Sequence, residues 1–294
     1  MASRALRAFR AGSWFARHVP RPVTDAFVDF VGTVAPAFGG ERTRQVERNL
    51  RRVDVDHGST LRRGVRHTYG HYARYWVESF RLPGTSPEEL AKGITVDGWE
   101  HVLAGLERGN GVILALPHLG PWEWAGFWVA TVGKKPISVV VESLEPPDVY
   151  EWFVGLRESF GMHVIPLGPD AAGAVLGALK ANHVVCLLSD RDIGGGGIEV
   201  EFFGETTTLP AGPATLAIRT GAALVPCGVV YEPDGHRRGM VHPALDVTRQ
   251  GKLREDVQRI TQELAHELEG FIRVDPEQWH LLQPNWPSDR PTSP

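Results

Sequence analysis

The chain is 294 residues long, with 42% hydrophobic and 22% charged residues and a formal net charge of -4. That length allows one large unit or two ordinary ones, with enough apolar residues for a sizeable core. The balance excludes wholesale disorder, collagen-like and disulfide-scaffold classes, and it argues against a dedicated nucleic-acid binder. In chain order, the first feature is basic: Arg4, Arg7, Arg10, Arg17 and Arg21 all precede the first acid, Asp25. The segment lacks the uninterrupted apolar core of a signal peptide. On a helical wheel Arg7, Arg10, Arg17 and Arg21 share one stripe, while Ala5, Ala8, Phe9, Gly12, Phe15, Ala16 and Val19 gather opposite. This predicts a basic amphipathic helix ended by Pro20 and Pro22. Such a helix can lie in an anionic membrane interface, with Arg7, Arg10 and Arg17 toward headgroups and Phe9 and Phe15 toward acyl chains. An ordinary surface helix packed on the domain is the alternative.

Residues 62–81 place Val65, Tyr69, Tyr72, Trp76 and Phe80 at helical spacing, so residues 1–90 read as a helical, membrane-contacting cap. His67 and His71 stand four apart but have no supporting ligand nearby, which predicts a structural pair and no metal site. From residue 111 the pattern changes. Short apolar runs (GVILALP, PISVVVES, HVIPLG, HVVCLLSD and ALVPCGVVY) alternate with expected helices near 121–132, 146–160, 170–181 and 210–221. Strands apolar on both faces and separated by helices imply a largely parallel central sheet, an α/β core over residues 91–286. EVEFFGE and MVHPALDV read as additional strands, 252–273 as a closing helix, and 287–294 as a mobile tail. Cys186 and Cys227 sit alone in apolar runs and are expected as buried free thiols in a reducing compartment. No apolar run approaches the roughly 20 residues that span a bilayer, so no transmembrane helix is expected.

The strongest chemical signal is GVILALPHLGPWEW, a buried strand ending in Pro117-His118-Leu119-Gly120 before a helix that starts near Pro121. Ligands of parallel α/β sheets collect at the carboxyl ends of strands, which is where His118 falls. Glu123, five positions on, could fold back and hold one imidazole nitrogen, leaving the other free as a general base. Asp190-Arg191-Asp192 leads into four glycines, Gly194 to Gly197, and then into a strand. A phosphate loop would lead into a helix, so the run reads as a mobile loop at the mouth of the site. Alternation puts Glu199 and Glu201 on one side of that strand, where they could bind hydroxyl groups of a ligand or form a solvated edge. Trp122, Trp124, Phe127 and Trp128 give the helix after His118 many large rings, which predicts an apolar groove along it lined by at least one of them, although some must be core.

These blocks resemble the lysophospholipid acyltransferase superfamily, in particular the branch that holds bacterial lipid A lauroyl and myristoyl acyltransferases and the phosphatidylinositol mannoside acyltransferases. The resemblance rests on QVERNLRRV at 45–53, His118-x4-Glu123, Arg157 and Gly161 in LRESFGMHVIPLG, the DRD and EVEFFGE segments, Pro226, and PEQW at 276–279. Glu123 departs from the commoner Asp. The resemblance implies a glycerol-3-phosphate acyltransferase-like fold and a peripheral enzyme on the cytoplasmic face of the cell membrane. It makes His118 a base that activates an acceptor hydroxyl for attack on an acyl-CoA thioester, and acyl-CoA is then a substrate, with no cofactor needed. It assigns Arg157 to substrate binding or support of the site, with a surface ion pair to Glu158 or Glu151 as the alternative. Glu142, Asp192 and Glu199 join it as expected substrate-binding residues. The expected acceptor is a mannose of a phosphatidylinositol mannoside, because the N-terminal helix is basic and amphipathic, EVEFFGE fits the mannoside branch, and only five of the 31 basic residues are Lys, as in a GC-rich genome. A lipid A or lysophospholipid acyltransferase, or a non-catalytic lipid-binding protein on the same scaffold, is the alternative.

Overall fold

A computed structural model of the chain describes residues 3–53, 58–142 and 145–290. The N-terminal part is helical: α1 (Arg4–His18), α2 (Arg21–Phe38), α3 (Glu41–Arg52), α4 (Ser59–Arg81) and α5 (Pro87–Lys92). Alternation then sets in with β1 (Ile94–Asp97), α6 (Trp99–Glu107), β2 (Val112–Leu116), α7 (Trp122–Thr131), β3 (Ile137–Val141), α8 (Pro147–Ser159), β4 (Met162–Pro166), α9 (Ala171–Lys180) and β5 (Val184–Leu188). A hairpin of β6 (Ile198–Phe202) and β7 (Glu205–Leu209) follows. The chain continues through α10 (Gly212–Thr220), β8 (Ala223–Tyr231), β9 (Arg237–Val241) and α11 (Leu253–Val274).

Seven strands form one sheet in the order β1-β9-β8-β2-β5-β3-β4. From β8 to β4 every neighbouring pair is parallel, β9 runs antiparallel to β8, and β1 pairs parallel with β9. The expected α/β class with a mainly parallel sheet is what the chain adopts. The strands carry apolar residues on both faces because both faces are covered. In β2, Val112 and Leu114 join the core under α6 and α7, while Ile113 and Ala115 join the core under α9, α10 and α11. The four-residue β1 was not expected, and MVHPALDV is strand only as far as Val241. EVEFFGE forms the separate β6–β7 hairpin, packed on α11.

Two expectations at the chain ends change. Part of the apolar stripe of α1 packs inward: half-buried Phe9 stands edge-on to Trp76, Phe80 and Phe153 at 5.5–5.9 Å between centroids, whereas Phe15 stays exposed. Burying a Phe ring contributes about 1.5–3 kcal/mol, which is how this helix is held to α4 and α8. Residues 287–290, expected as the start of a mobile tail, close onto α3. Asp289 is buried, accepting from Gln45 at 2.8 Å and pairing with Arg52 at 2.8 Å. The rest of the expected tail lies outside the described residues.

His67 and His71 do not share a partner. His67 Nδ1 meets Glu277 at 2.6 Å, whereas His71 stacks on Tyr231 with its Nδ1 buried and, among the described residues, unbonded. Burial pushes the His71 imidazole down to about 4, with Arg74 and His67 adding to the effect and Asp275 opposing it. A group whose folded pKa is depressed in this way takes up its proton on unfolding, so stability falls as pH drops from about 6.5 toward 4. The contribution is on the order of 2–3 kcal/mol. In a His71→Phe protein, which cannot titrate there, the loss of melting temperature between pH 7 and pH 4.5 is expected to shrink. An unchanged loss contradicts this assignment.

Candidate active site

His118 leaves the carboxyl end of β2 in a segment held from both sides. Its backbone carbonyl accepts from the His280 N–H at 2.8 Å, Leu119 bridges Trp279, and the Gly120 N–H donates to the Gln278 carbonyl at 3.0 Å. Gly120 has φ +56°, and a Cβ there would sit 2.4 Å from the Val229 carbonyl oxygen, so only glycine fits the turn. Pro121 then opens α7.

The partner of His118 is Asp190, not Glu123. Asp190 follows β5, the neighbour of β2, and its side chain is fully buried. One carboxylate oxygen accepts from His118 Nδ1–H at 2.7 Å; the other accepts from the His118 backbone N–H at 3.1 Å and from Trp279 Nε1–H at 2.8 Å. Burial alone would raise the Asp190 pKa, but the His118 imidazole and these donors hold it below the usual carboxylate value. The carboxylate therefore stays charged and fixes the Nδ1–H tautomer. His118 Nε2 has no partner among the described residues, and the ring stands edge-on to Trp122 at 5.5 Å on the wall of a cavity of about 230 Å³. That arrangement leaves one imidazole nitrogen free to take a proton.

Glu123 instead turns away to Arg157. Arg157 Nε donates to Glu123 Oε2 at 3.3 Å, and a second guanidinium nitrogen bonds the other oxygen. Both side chains are nearly buried, 13% and 12% exposed, so the expected orienting role of Glu123 and the expected surface pairing of Arg157 with Glu158 or Glu151 both give way to a buried bidentate pair. The extra methylene of Glu over Asp lets the carboxylate reach α8. This pair stands at an apolar cavity of about 110 Å³ between α7 and the sheet, lined by Leu114, Ala125, Gly126, Val139, Met162 and Cys186 among others.

Of the four rings expected along a groove, Trp122 borders both of these cavities. Trp124 and Phe127 are core: Trp124 lies under the Arg237 guanidinium at 3.6 Å, and Phe127 is wholly buried against Phe160. Trp128 packs edge-on against Trp99. The rest of the apolar cavity's lining from α7 comes from Glu123, Ala125, Gly126 and Val129. Cys186 also lines it, and burial pushes its thiol up to about 12, far from a nucleophile's range.

Glu142 lies on the His118 cavity, 3.4 Å from Arg191. Asp192 does not face it: its carboxylate accepts from the Gly195 and Gly197 N–H groups at 3.0 and 2.8 Å and from Thr208, tying the glycine turn to β7. Glu199 is exposed on β6, paired in register with Thr208, and lines neither cavity. Sequence reasoning missed Asp190 as the histidine's partner, Trp279 as its second anchor, and Tyr72, Tyr75 and His280 as cavity walls. Removing one member of a buried ion pair leaves the other uncompensated. Arg157→Ala is therefore expected to destabilise the fold by about 3–5 kcal/mol in denaturant titration, with Arg157→Met/Glu123→Gln recovering most of it. A double variant no better than the single one contradicts the pairing.

The profile of the bacterial lipid A biosynthesis acyltransferase family matches residues 4–288. A Mycolicibacterium smegmatis protein named phosphatidylinositol mannoside acyltransferase is 39% identical over 289 residues, 96% of this chain and 91% of its own. A Mycobacterium tuberculosis protein of the same name is 43% identical over 223 residues, 74% of this chain and 68% of its own. With its His-x4-acid block at a strand end and the later blocks folded around it, the chain belongs to the bacterial lipid A biosynthesis acyltransferase family.

Proposed function

We propose that the protein is a peripheral membrane acyltransferase that moves a long, palmitoyl-like chain from acyl-CoA to a mannose hydroxyl of a phosphatidylinositol mannoside. The observation that carries this reading is the His118–Asp190 pair, with His118 on a polar cavity whose wall residue Trp122 also borders an apolar one. The similarity to proteins of that name supplies the acceptor. His118 Nε2 takes the proton of the acceptor hydroxyl as its oxygen attacks the thioester carbonyl. The carbon–sulfur bond then breaks, and the proton passes from the imidazolium to the leaving thiolate, giving ester and free CoA. Asp190 stabilises the imidazolium while it exists. No acyl-enzyme is needed, in keeping with the unreactive Cys186 and the absence of a Gly-x-Ser-x-Gly block.

In this reading the acyl chain enters the apolar cavity, where each buried CH₂ is worth about 0.8 kcal/mol. A Cβ on Gly126 would lie 3.0 Å from Met162 Cε, so this position bounds the space. Mass spectrometry of products from palmitoyl-CoA and a panel of glycolipid acceptors tests the reading. Acylated phosphatidylinositol mannoside is expected, lost with His118→Ala; transfer to lipid A precursors or lysophospholipids alone, or to nothing, contradicts it. Gly126→Trp is expected to shift preference toward shorter acyl-CoA donors, and a chain-length profile that stays put in the folded variant places the acyl chain elsewhere.

Membrane contact is supported by a face that the sequence reading passed over. On α2, Val23, Phe27, Phe30 and Phe38 recur at helical spacing and are 47–84% exposed. Trp14 and Phe15 on α1 are also exposed, beside Arg7, Arg10 and Arg17. No helix among the described residues is long and apolar enough to cross a membrane. Insertion of the α2 rings with attraction of the α1 arginines to anionic headgroups on the cytoplasmic face fits this surface. In vesicle flotation, Phe27→Ser/Phe30→Ser is expected to weaken binding to all vesicles, and Gln at Arg7, Arg10 and Arg17 to weaken it only for anionic ones. Binding that ignores both sets of changes contradicts this mode of attachment.

A further inference from the structure

His280 is 5% exposed, and neither ring nitrogen has a hydrogen-bond partner among the described residues. Its neighbours are the rings of Tyr72, Tyr75 and Trp122, with centroids 5.4–5.6 Å away, and burial holds its imidazole neutral by pushing its pKa well down. A buried polar group left unpaired destabilises a fold relative to an apolar ring of the same shape, so its presence calls for a partner. The position is not a remote corner of the core. His280 lines the same cavity as His118, and its backbone N–H donates to the His118 carbonyl at 2.8 Å.

We propose that His280 binds a hydroxyl of the acyl acceptor, a polyhydroxylated sugar or inositol headgroup, and so sets which hydroxyl faces His118. The proposal rests on the reading of the acceptor as a glycolipid. A neutral imidazole offers one donor and one acceptor, which is the complement of a hydroxyl and of neither a phosphate nor an acyl chain. The rest of this cavity suits the same ligand, since Glu142 and Arg191 supply further polar groups beside the aromatic walls. Both nitrogens are buried beside the cavity wall, so a hydroxyl reaches them only once a side chain of that wall gives way.

The test uses His280→Phe, which keeps an aromatic ring among the other rings and removes both nitrogens. Steady-state kinetics with palmitoyl-CoA and phosphatidylinositol mannoside in mixed micelles are expected to show the KM for the acceptor raised about tenfold, the loss of one hydrogen bond, with the donor KM within about twofold of wild type. The melting temperature is expected to equal or exceed that of the wild type. His280→Asn, which restores a donor and an acceptor, is expected to recover part of the acceptor KM. An acceptor KM within about twofold of wild type in the Phe protein overturns the proposal, as does a fall in kcat with both KM values unchanged, which would make His280 a support for His118. If the Phe protein melts several degrees lower, the Asn protein decides, with an acceptor KM raised as far as in the Phe protein overturning the proposal and any recovery toward wild type upholding it. A wild-type protein that acylates no glycolipid contradicts the underlying reading before any variant is compared.

Discussion

A single buried carboxylate ties the site together. Asp190 has no exposed side-chain surface, yet it stays ionised because three donors converge on it, two from His118 and one from Trp279. A carboxylate buried without such donors would neutralise, and a neutral acid would neither fix the His118 tautomer nor stabilise an imidazolium. The charge therefore depends on the C-terminal segment reaching back across the molecule to place Trp279. That segment depends in turn on Gln278, which exchanges hydrogen bonds with the Tyr231 backbone at 2.7–2.8 Å, and on Asn49, which bonds the Leu281 carbonyl.

The sequence blocks that carry the family resemblance thus have a common physical purpose. QVERNLRRV provides Gln45, Asn49 and Arg52, the polar residues of α3 that grip residues 281–289. PEQW provides the short pairing beside His118 and the indole that donates to Asp190. The DRD run contributes Asp190 itself, whose backbone carbonyl is further held by Asn285 at 3.0 Å, and Asp192, which pins the glycine turn. Segments more than 200 residues apart in sequence, from α3 to the C-terminal tail, meet around one imidazole. Arg157 and Glu123 belong to a different layer, bracing α8 against α7 beside the apolar cavity.

Much of the fold was legible because buried parallel strands and amphipathic helices carry their periods in the sequence. β2, β3, β4, β5 and β8 lie where apolar runs placed them, and α7 to α11 begin and end within about two residues of the expected bounds. β1 has no such signal, since only Ile94 of its four residues is buried. At the site, His118 was found because it follows a buried strand, but its partner was misassigned, because local spacing favoured Glu123 and the strand order was unknown. The structure supplies what local spacing could not: β2 and β5 pair with Leu116 opposite Leu188, which brings the residues two beyond each, His118 and Asp190, together. On α7 the expectation of an apolar groove with some rings lining it and others in the core matches the structure, since Trp122 borders the cavity while Trp124 and Phe127 are buried. The α1 wheel left two readings open, because an apolar stripe serves a protein core as well as a membrane.

The central claim, that Asp190 and not Glu123 orients the base, is tested most directly by comparing acyl-transfer rates of Asp190→Asn and Glu123→Gln. An amide at 190 offers the imidazole the wrong tautomer and no charge, so a fall of about 10³–10⁴-fold in kcat is expected with the fold retained. Glu123→Gln keeps a hydrogen bond to Arg157 and is expected to lose less than about tenfold. A Glu123→Gln protein as impaired as Asp190→Asn, or an Asp190→Asn protein near wild-type activity, contradicts the account.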